Sequence, residues 1–259
     1  MLLHNVTYGQ GPDLVLLHGW GFDGLVWQSV LPYLIPYFTV HCVDLPGFGL
    51  SPMVEQYTLA ELSHLLVKQI AKPAYWLGWS LGGLIAMYIA RYYSLNCLGL
   101  LSVASSPKFT AEQGWPGVQP ALLDEFGRAL QDDHKTTLKR FLQLQLPQST
   151  LVTAGGSTLN AIYNLKQYVT PARAALNAGL ILLKETDLRQ EFTRINCPTL
   201  HVLGTLDMLV PKKLALYLPQ LAPSHEIMLM PKVAHAPFMT QPDIFSNKIR
   251  KFVDYVSTR

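Results

Sequence analysis

The stretch Ala74-Tyr75-Trp76-Leu77-Gly78-Trp79-Ser80-Leu81-Gly82-Gly83-Leu84 runs from a short apolar segment through a serine between glycines into a longer apolar segment. Ala74 to Leu77 reads as a strand and Leu81 to Tyr93 as a helix, so the pentapeptide Gly78 to Gly82 must turn the chain sharply between them. A turn that tight leaves no room for Cβ atoms beside the serine, and it lifts the Ser80 hydroxyl clear of the backbone. This is the setting of a nucleophile elbow, in which a serine hydroxyl stands at the end of a strand of an open sheet.

Outward from the elbow, short apolar runs alternate with longer amphipathic ones. Leu14 to Leu17 is followed by Gly24 to Leu34, Phe38 to Val43 by Thr58 to Ile70, and the elbow's own strand and helix by Cys97 to Ala104. That rhythm predicts βαβ units and an α/β fold with a mostly parallel sheet and helices on both faces. It stops after Ser106 and resumes at Pro198, with a strand over Thr199 to Leu203, a helix over Pro211 to Leu221, a strand over Glu226 to Met230 and a closing helix over Pro242 to Val256. Between the two blocks the pattern is helical, with Ala121 to Leu130, Asp132 to Leu146, Ser157 to Val169 and Ala172 to Leu183 interrupted by Pro147, Gly155-Gly156 and Pro171. Residues 1–107 and 188–259 are therefore expected to form the core domain and residues 108–187 an inserted helical cap. Ligands of open α/β sheets bind at the carboxyl edge, so a cap there would shape a substrate pocket.

At 259 residues the chain is long enough for one such domain with its insertion. A formal charge of +3, with no run of Lys and Arg interleaved with aromatics, argues against a nucleic-acid partner. Cys42, Cys97 and Cys197 lie in or beside apolar runs and are odd in number, which reads as reduced thiols. No Cys-x-x-Cys or His-Glu-x-x-His spacing supports a metal site. No basic stretch followed by an apolar core opens the chain and no apolar run is long enough for a bilayer, so a soluble cytoplasmic protein, with no membrane contact and a monomer, is expected.

A serine hydroxyl is a weak nucleophile at neutral pH and needs a base held by a third group; on this architecture the chain order is Ser, then Asp or Glu, then His. Asp207 follows the strand Thr199 to Leu203, and His235 follows the strand Glu226 to Met230 in the loop Lys232 to Pro237. Asp187, at the end of the insertion, is a competitor for the acid. The other histidines considered, His4, His41, His64, His134, His201 and His225, fall in termini, strands or helices. A negative oxygen on a tetrahedral intermediate needs N–H donors, one from Leu81 after the nucleophile and one from Trp20 in the loop His18-Gly19-Trp20-Gly21. His18 reads as a support for that loop, and Trp20 and Trp79 as apolar walls or as ordinary packing. Asp44 to Ser51 reads as a structural turn near the site.

With these pieces placed, the chain resembles the α/β-hydrolases, and more narrowly the pimeloyl-[acyl-carrier protein] methyl ester esterases of biotin synthesis. The resemblance is carried by Leu16-Leu17-His18-Gly19-Trp20-Gly21, Leu77 to Leu84, Val103-Ala104-Ser105-Ser106-Pro107, Trp115-Pro116-Gly117, Arg140-Phe141-Leu142, Asp187-Leu188-Arg189-Gln190 and Ala234-His235-Ala236-Pro237-Phe238. It implies hydrolysis of the methyl ester on pimeloyl-acyl carrier protein, with no cofactor. It also implies substrate contacts at Trp20, Ser80, Leu81, Phe141, Leu142, Gln143, Leu144, Gln145 and His235. The chain departs from the family at Leu159 and Tyr163, where the family carries arginines. Apart from the resemblance, His134 to Lys184 contains no Asp or Glu, and Lys135, Lys139, Arg140 and Lys166 make a candidate docking surface for an acidic carrier protein. The same basic residues also suit an ordinary solvated helix face. Two other functions fit the same machinery: a short-chain carboxylesterase indifferent to the carrier, and a non-catalytic binding module on the same scaffold.

Overall fold

The computed structural model describes residues 1–145 and 169–258. Its centre is a seven-stranded sheet of β1 (Asn5–Tyr8), β2 (Asp13–Leu17), β3 (Thr39–Val43), β4 (Ala74–Trp79), β5 (Cys97–Val103), β6 (Thr199–Gly204) and β7 (Glu226–Met230), in the spatial order β1-β3-β2-β4-β5-β6-β7. All neighbours are parallel except β1, which pairs antiparallel with β3. Every residue of β4 and β6 is buried, because helices cover both faces of the central strands. That is why β4 reads as an unbroken apolar run, while β6 carries the buried Thr199 and His201 among its apolar residues.

The longer helices are α1 (Leu59–Ile70), α2 (Leu81–Tyr92), α3 (Pro120–Asp132), α4 (His134–Leu144), α5 (Arg173–Glu185) and α6 (Pro242–Ser257). Local sequence explains their ends. Thr58 Oγ1 accepts the Glu61 amide at 3.2 Å in a Thr-x-x-Glu box at the start of α1, and Ala71 closes that helix in the left-handed region at φ 58°. α1 buries Leu62, Leu66 and Ile70 on one stripe and packs beside α2.

Two expected helices are broken. Gly24 to Leu34 is a 3-10 turn over Gly24–Ser29 and a short helix over Leu31–Leu34, since Pro32 has no N–H to donate and suits only a helix's first turn. Pro211 to Leu221 divides in the same way ahead of Pro219. His225 lies in the turn before β7 rather than in a strand or helix.

Between β5 and β6 the chain leaves the sheet for α3, α4 and α5. The segments that leave and return are joined by the Leu188 amide, which donates to the Pro107 carbonyl at 2.8 Å. Beside that neck, Lys108, Glu112, Asp187 and Arg189 form ion pairs, with the Arg189 guanidinium over the Trp115 ring. No helix among the described residues is long and apolar enough to cross a membrane.

Candidate active site

The strand order reverses between β2 and β4, the place where an open α/β sheet leaves a crevice at its carboxyl edge. The loop after β2 carries Trp20, and the turn after β4 carries Ser80. Ser80 sits at φ 54°, ψ −116°, a strained conformation for a residue with a Cβ. The turn is over-determined by its neighbours. The Ser80 amide donates to Val103 O at 2.9 Å, its carbonyl accepts from Ser105 Oγ at 2.8 Å, and α2 begins at the next residue. Gly82 explains the tightness, since a Cβ there would collide with the Leu17 carbonyl and come within 2.6 Å of the His18 carbonyl.

Asp207 follows β6 and His235 follows β7. Asp207 Oδ1 accepts the amides of Leu209 at 2.8 Å and Val210 at 2.9 Å, which fixes the carboxylate. Its Oδ2 accepts a hydrogen bond from His235 Nδ1 at 2.8 Å, with both side chains buried. The proton is assigned to Nδ1 because a carboxylate can only accept. His235 Nε2 is then an acceptor, and it is buried without a hydrogen-bond partner. No hydrogen bond joins it to Ser80 Oγ in this state. A buried imidazole nitrogen without a partner, on a ring whose other nitrogen is held by a carboxylate, is available to accept a proton.

The sequence does not reveal what holds this loop. Trp79 Nε1 donates to the His235 carbonyl at 2.8 Å, so the residue before Ser80 anchors the His235 loop. Trp20 is likewise more than a wall: its Nε1 donates to Leu176 O of α5 at 2.8 Å, and its ring meets Phe141 edge-on at 4.7 Å. Both contacts span 156 residues, and no local pattern announces them. Gly179 lets α5 approach, because a Cβ there would stand 2.9 Å from the Trp20 ring and 3.2 Å from Leu81.

Leu81 opens α2, so its amide has no intrahelical acceptor and carries the positive end of the helix dipole. The Trp20 amide has no acceptor among the described residues. His18 is a strut: its Nδ1 donates to Gly19 O at 2.8 Å, its Nε2 accepts the Leu45 amide at 2.9 Å, and burial keeps it neutral. Asp44 accepts the Gly24 and Leu50 amides at 2.7 and 2.9 Å, and the Gly47 carbonyl accepts the Ala172 amide at 2.8 Å. The Asp44 to Ser51 turn thus ties the loop after β2 to the start of α5.

Phe141 and Gln145 of the expected substrate contacts are buried, and Lys135 and Arg140 of the expected docking residues are exposed. The side chains of Lys139, Leu142, Gln143 and Leu144, and residues 146–168 with Leu159, Tyr163, Lys166 and the helix expected from Ser157, lie outside the described residues. Asp187 is not with His235. It pairs with Arg189, which with Lys108 and the Arg189 amide holds its carboxyl down to about 2. Among the described residues no cluster of His, Cys, Asp and Glu has the makings of a metal site.

Ser80 at a strained strand-to-helix turn, the Asp207–His235 pair and the Trp20 and Leu81 amides all follow strands at the carboxyl edge of the sheet, the arrangement on which serine hydrolases of this architecture are built. The chain belongs to the Alpha/beta hydrolase family, whose model matches residues 14–247. It is 42% identical over 254 residues to the pimeloyl-[acyl-carrier protein] methyl ester esterase of Vibrio vulnificus (strain YJ016), covering 96% of this chain and 97% of that protein. The esterase of the same name from Edwardsiella ictaluri (strain 93-146) is 43% identical over 249 residues, covering 96% of each chain. Among solved structures, the enol-lactonase of Burkholderia xenovorans LB400 superposes with a TM-score of 0.86 over 97% of this chain and 96% of its own; at 18% identity that likeness speaks to the fold alone.

Proposed function

We propose that this protein is a serine carboxylesterase that hydrolyses the methyl ester of pimeloyl-[acyl-carrier protein] to methanol and the free acid, still attached to its carrier, in biotin synthesis. The chemistry rests on one observation: His235 offers an unpaired Nε2 while Asp207 holds its Nδ1. The substrate rests on near full-length likeness to esterases of that name.

Ser80 Oγ attacks the ester carbonyl carbon while His235 Nε2 takes its proton, and Asp207 stabilises the imidazolium. The carbonyl oxygen becomes an oxyanion held by the Trp20 and Leu81 amides. As the intermediate collapses, His235 returns the proton to the methoxy oxygen and methanol leaves. Water, deprotonated by His235, then attacks the acyl-serine; its collapse frees the carboxylate and restores Ser80. Phe141, Leu142, Gln143, Leu144 and Gln145 on and after α4 would line the acyl path, with residues 108–187 as the cap over it.

Charge on the cap is mixed. Lys184 pairs with Asp124 and Arg173 donates to the Gln131 carbonyl, and α3 brings Asp124, Glu125 and Asp132 beside α4. Any docking surface for the acidic carrier therefore rests on Lys135, Lys139, Arg140 and Lys166. Reversing Lys135 and Arg140 to Glu is expected to raise KM for the carrier-bound ester with little change on a small chromogenic ester.

The decisive experiment compares wild type with Ser80→Ala on the carrier-bound methyl ester, following methanol release, alongside labelling by a fluorophosphonate. Turnover and label are both expected to vanish in the folded variant. Residual turnover near the wild-type rate would overturn the assignment, and absence of label in wild type would favour a binding module. Equal kcat/KM on free and carrier-bound esters would favour the carrier-indifferent esterase.

A further inference from the structure

The edge of the sheet opposite the elbow carries a pair of sulfurs that esterase chemistry does not use. Cys97 is the first residue of β5, and Cys197 stands two residues before β6. These strands are parallel neighbours, with Leu100 opposite Thr199, and the Leu100 amide donates to Pro198 O at 2.9 Å, so the backbone locks the two cysteines side by side. Their Sγ atoms are 3.7 Å apart. Both are free thiols; Cys97 is buried and Cys197 partly open to solvent. The third cysteine, Cys42, belongs to β3, three strands away across β2 and β4, about 14 Å at ordinary strand spacing.

We propose that Cys97 and Cys197 form a reversible thiol–disulfide site that staples the start of β5 to the start of β6, closing the chain around the helical insertion. The two cysteines are 100 residues apart in sequence, so α3, α4 and α5 all lie inside the loop the bond would close. Cys197 is the entry point. The Cys97 thiol, the Thr199 side chain and the Leu100 amide hold it below the ordinary thiol range, while contact with Cys197 and burial hold Cys97 above it. A disulfide such as oxidised glutathione supplies the oxidising equivalents. The Cys197 thiolate attacks one glutathione sulfur, the glutathione S–S bond breaks, and one glutathione thiolate leaves. Cys97 then gives up its proton and attacks Cys197 Sγ, forming the internal bond and expelling the second glutathione. Two protein thiols are oxidised and one glutathione disulfide is reduced to two thiols.

The bond would act on stability rather than on the chemistry of the elbow. β5 separates Cys97 from the carboxyl edge at Val103 by about 20 Å. A covalent link closing so long a loop restricts the unfolded chain most, so the thermal transition should rise by several degrees.

The test incubates the folded protein with oxidised glutathione, then reads intact mass, linked peptides, thermal transition and turnover of a small ester. The expected result is the loss of two hydrogens, a Cys97–Cys197 peptide, a higher transition and unchanged turnover, all reversed by dithiothreitol. Cys97→Ser, or Cys97→Ala should the first fold poorly, removes the resolving thiol. It should retain one glutathione on Cys197 and show no rise. A wild-type protein that keeps a stable glutathione adduct, links through Cys42, stays unreactive while folded, or gains no thermal stability on oxidation would overturn the proposal.

Discussion

Replacing Asp207 with Asn changes one atom, and the surroundings of that atom determine the outcome. Oδ1 accepts two backbone amides, from Leu209 and Val210, and Oδ2 accepts from His235. An asparagine can keep its oxygen on the two amides only by turning its NH2 toward the imidazole. The reverse orientation would set NH2 against two N–H donors, leaving both unpaired at about 1–3 kcal/mol each. The first orientation therefore wins by roughly 2–6 kcal/mol. Its NH2 donates to His235 Nδ1, which drives the ring proton to Nε2, the nitrogen that accepts the Ser80 proton in the proposed mechanism. The variant folds but holds the wrong tautomer.

By the role assigned to Asp207, kcat should fall by about 10⁴, equivalent to about 5.4 kcal/mol of barrier. The thermal transition should move little, since both amides keep their acceptor. Asp207→Ala is the contrast, because it leaves the Leu209 and Val210 amides unpaired and should lose stability as well as rate. Steady-state kinetics on a short-chain chromogenic ester, paired with thermal unfolding, separates the two. A folded Asp207→Asn enzyme within tenfold of wild-type kcat would refute the reasoning.

Three further expectations follow from buried or strained groups. Ala71 ends α1 in the left-handed region, so Ala71→Gly should stabilise the protein by about 0.5–1 kcal/mol in denaturant titration. Gly82→Ala drives a Cβ into the Leu17 and His18 carbonyls and should cost about 3 kcal/mol, read as a lowered midpoint in denaturant titration with the protein still folded in buffer. Burial and then Asp44 raise the Asp23 carboxyl from 3.8 to about 6, so above pH 6 the folded state carries a disfavoured charge that is relieved as pH falls toward 3.8. Asp23→Asn should therefore raise stability by about 1–3 kcal/mol at pH 8, with the gain vanishing near pH 4, as followed by thermal unfolding across that range.

Much of the site is legible because each piece answers a local constraint. A serine between glycines at a strand end, an aspartate after one strand and a histidine after the next are short-range patterns, and the buried central strands announce themselves as apolar runs. What escaped the sequence is long-range. β1 is a four-residue, half-exposed edge whose identity comes from pairing with β3, not from its own pattern. The breaks at Pro32 and Pro219 were written in the chain, but the apolar period around them reads as one helix each. The indole bonds that hold the His235 loop and α5, Trp79 to His235 and Trp20 to Leu176, depend on folding residues 156 positions apart together.

The same buried polar groups also determine how the protein responds to acid. His201 Nε2 and His225 Nδ1 are 3.2 Å apart with Phe192 packed on both rings, and their outer nitrogens are buried without partners. Burial, with His225 adding, holds His201 down to about 3, and burial also lowers His225 and His18. An unfolded histidine takes up its proton near 6.5, so each of these favours the native state fully above pH 6.5 and loses that contribution as pH falls toward its folded value. The slope is about 1.4 kcal/mol per pH unit per histidine. Asp23 contributes one slope of the opposite sign between about 6 and 3.8, too little to offset three. Stability should thus fall from pH 6.5 downward, and His201→Leu should flatten the fall by removing one slope. An unchanged pH dependence in that variant, measured by denaturant titration at pH 7.5 and 5, would mean that His201 is protonated in the fold after all and that the ring pair shares a proton.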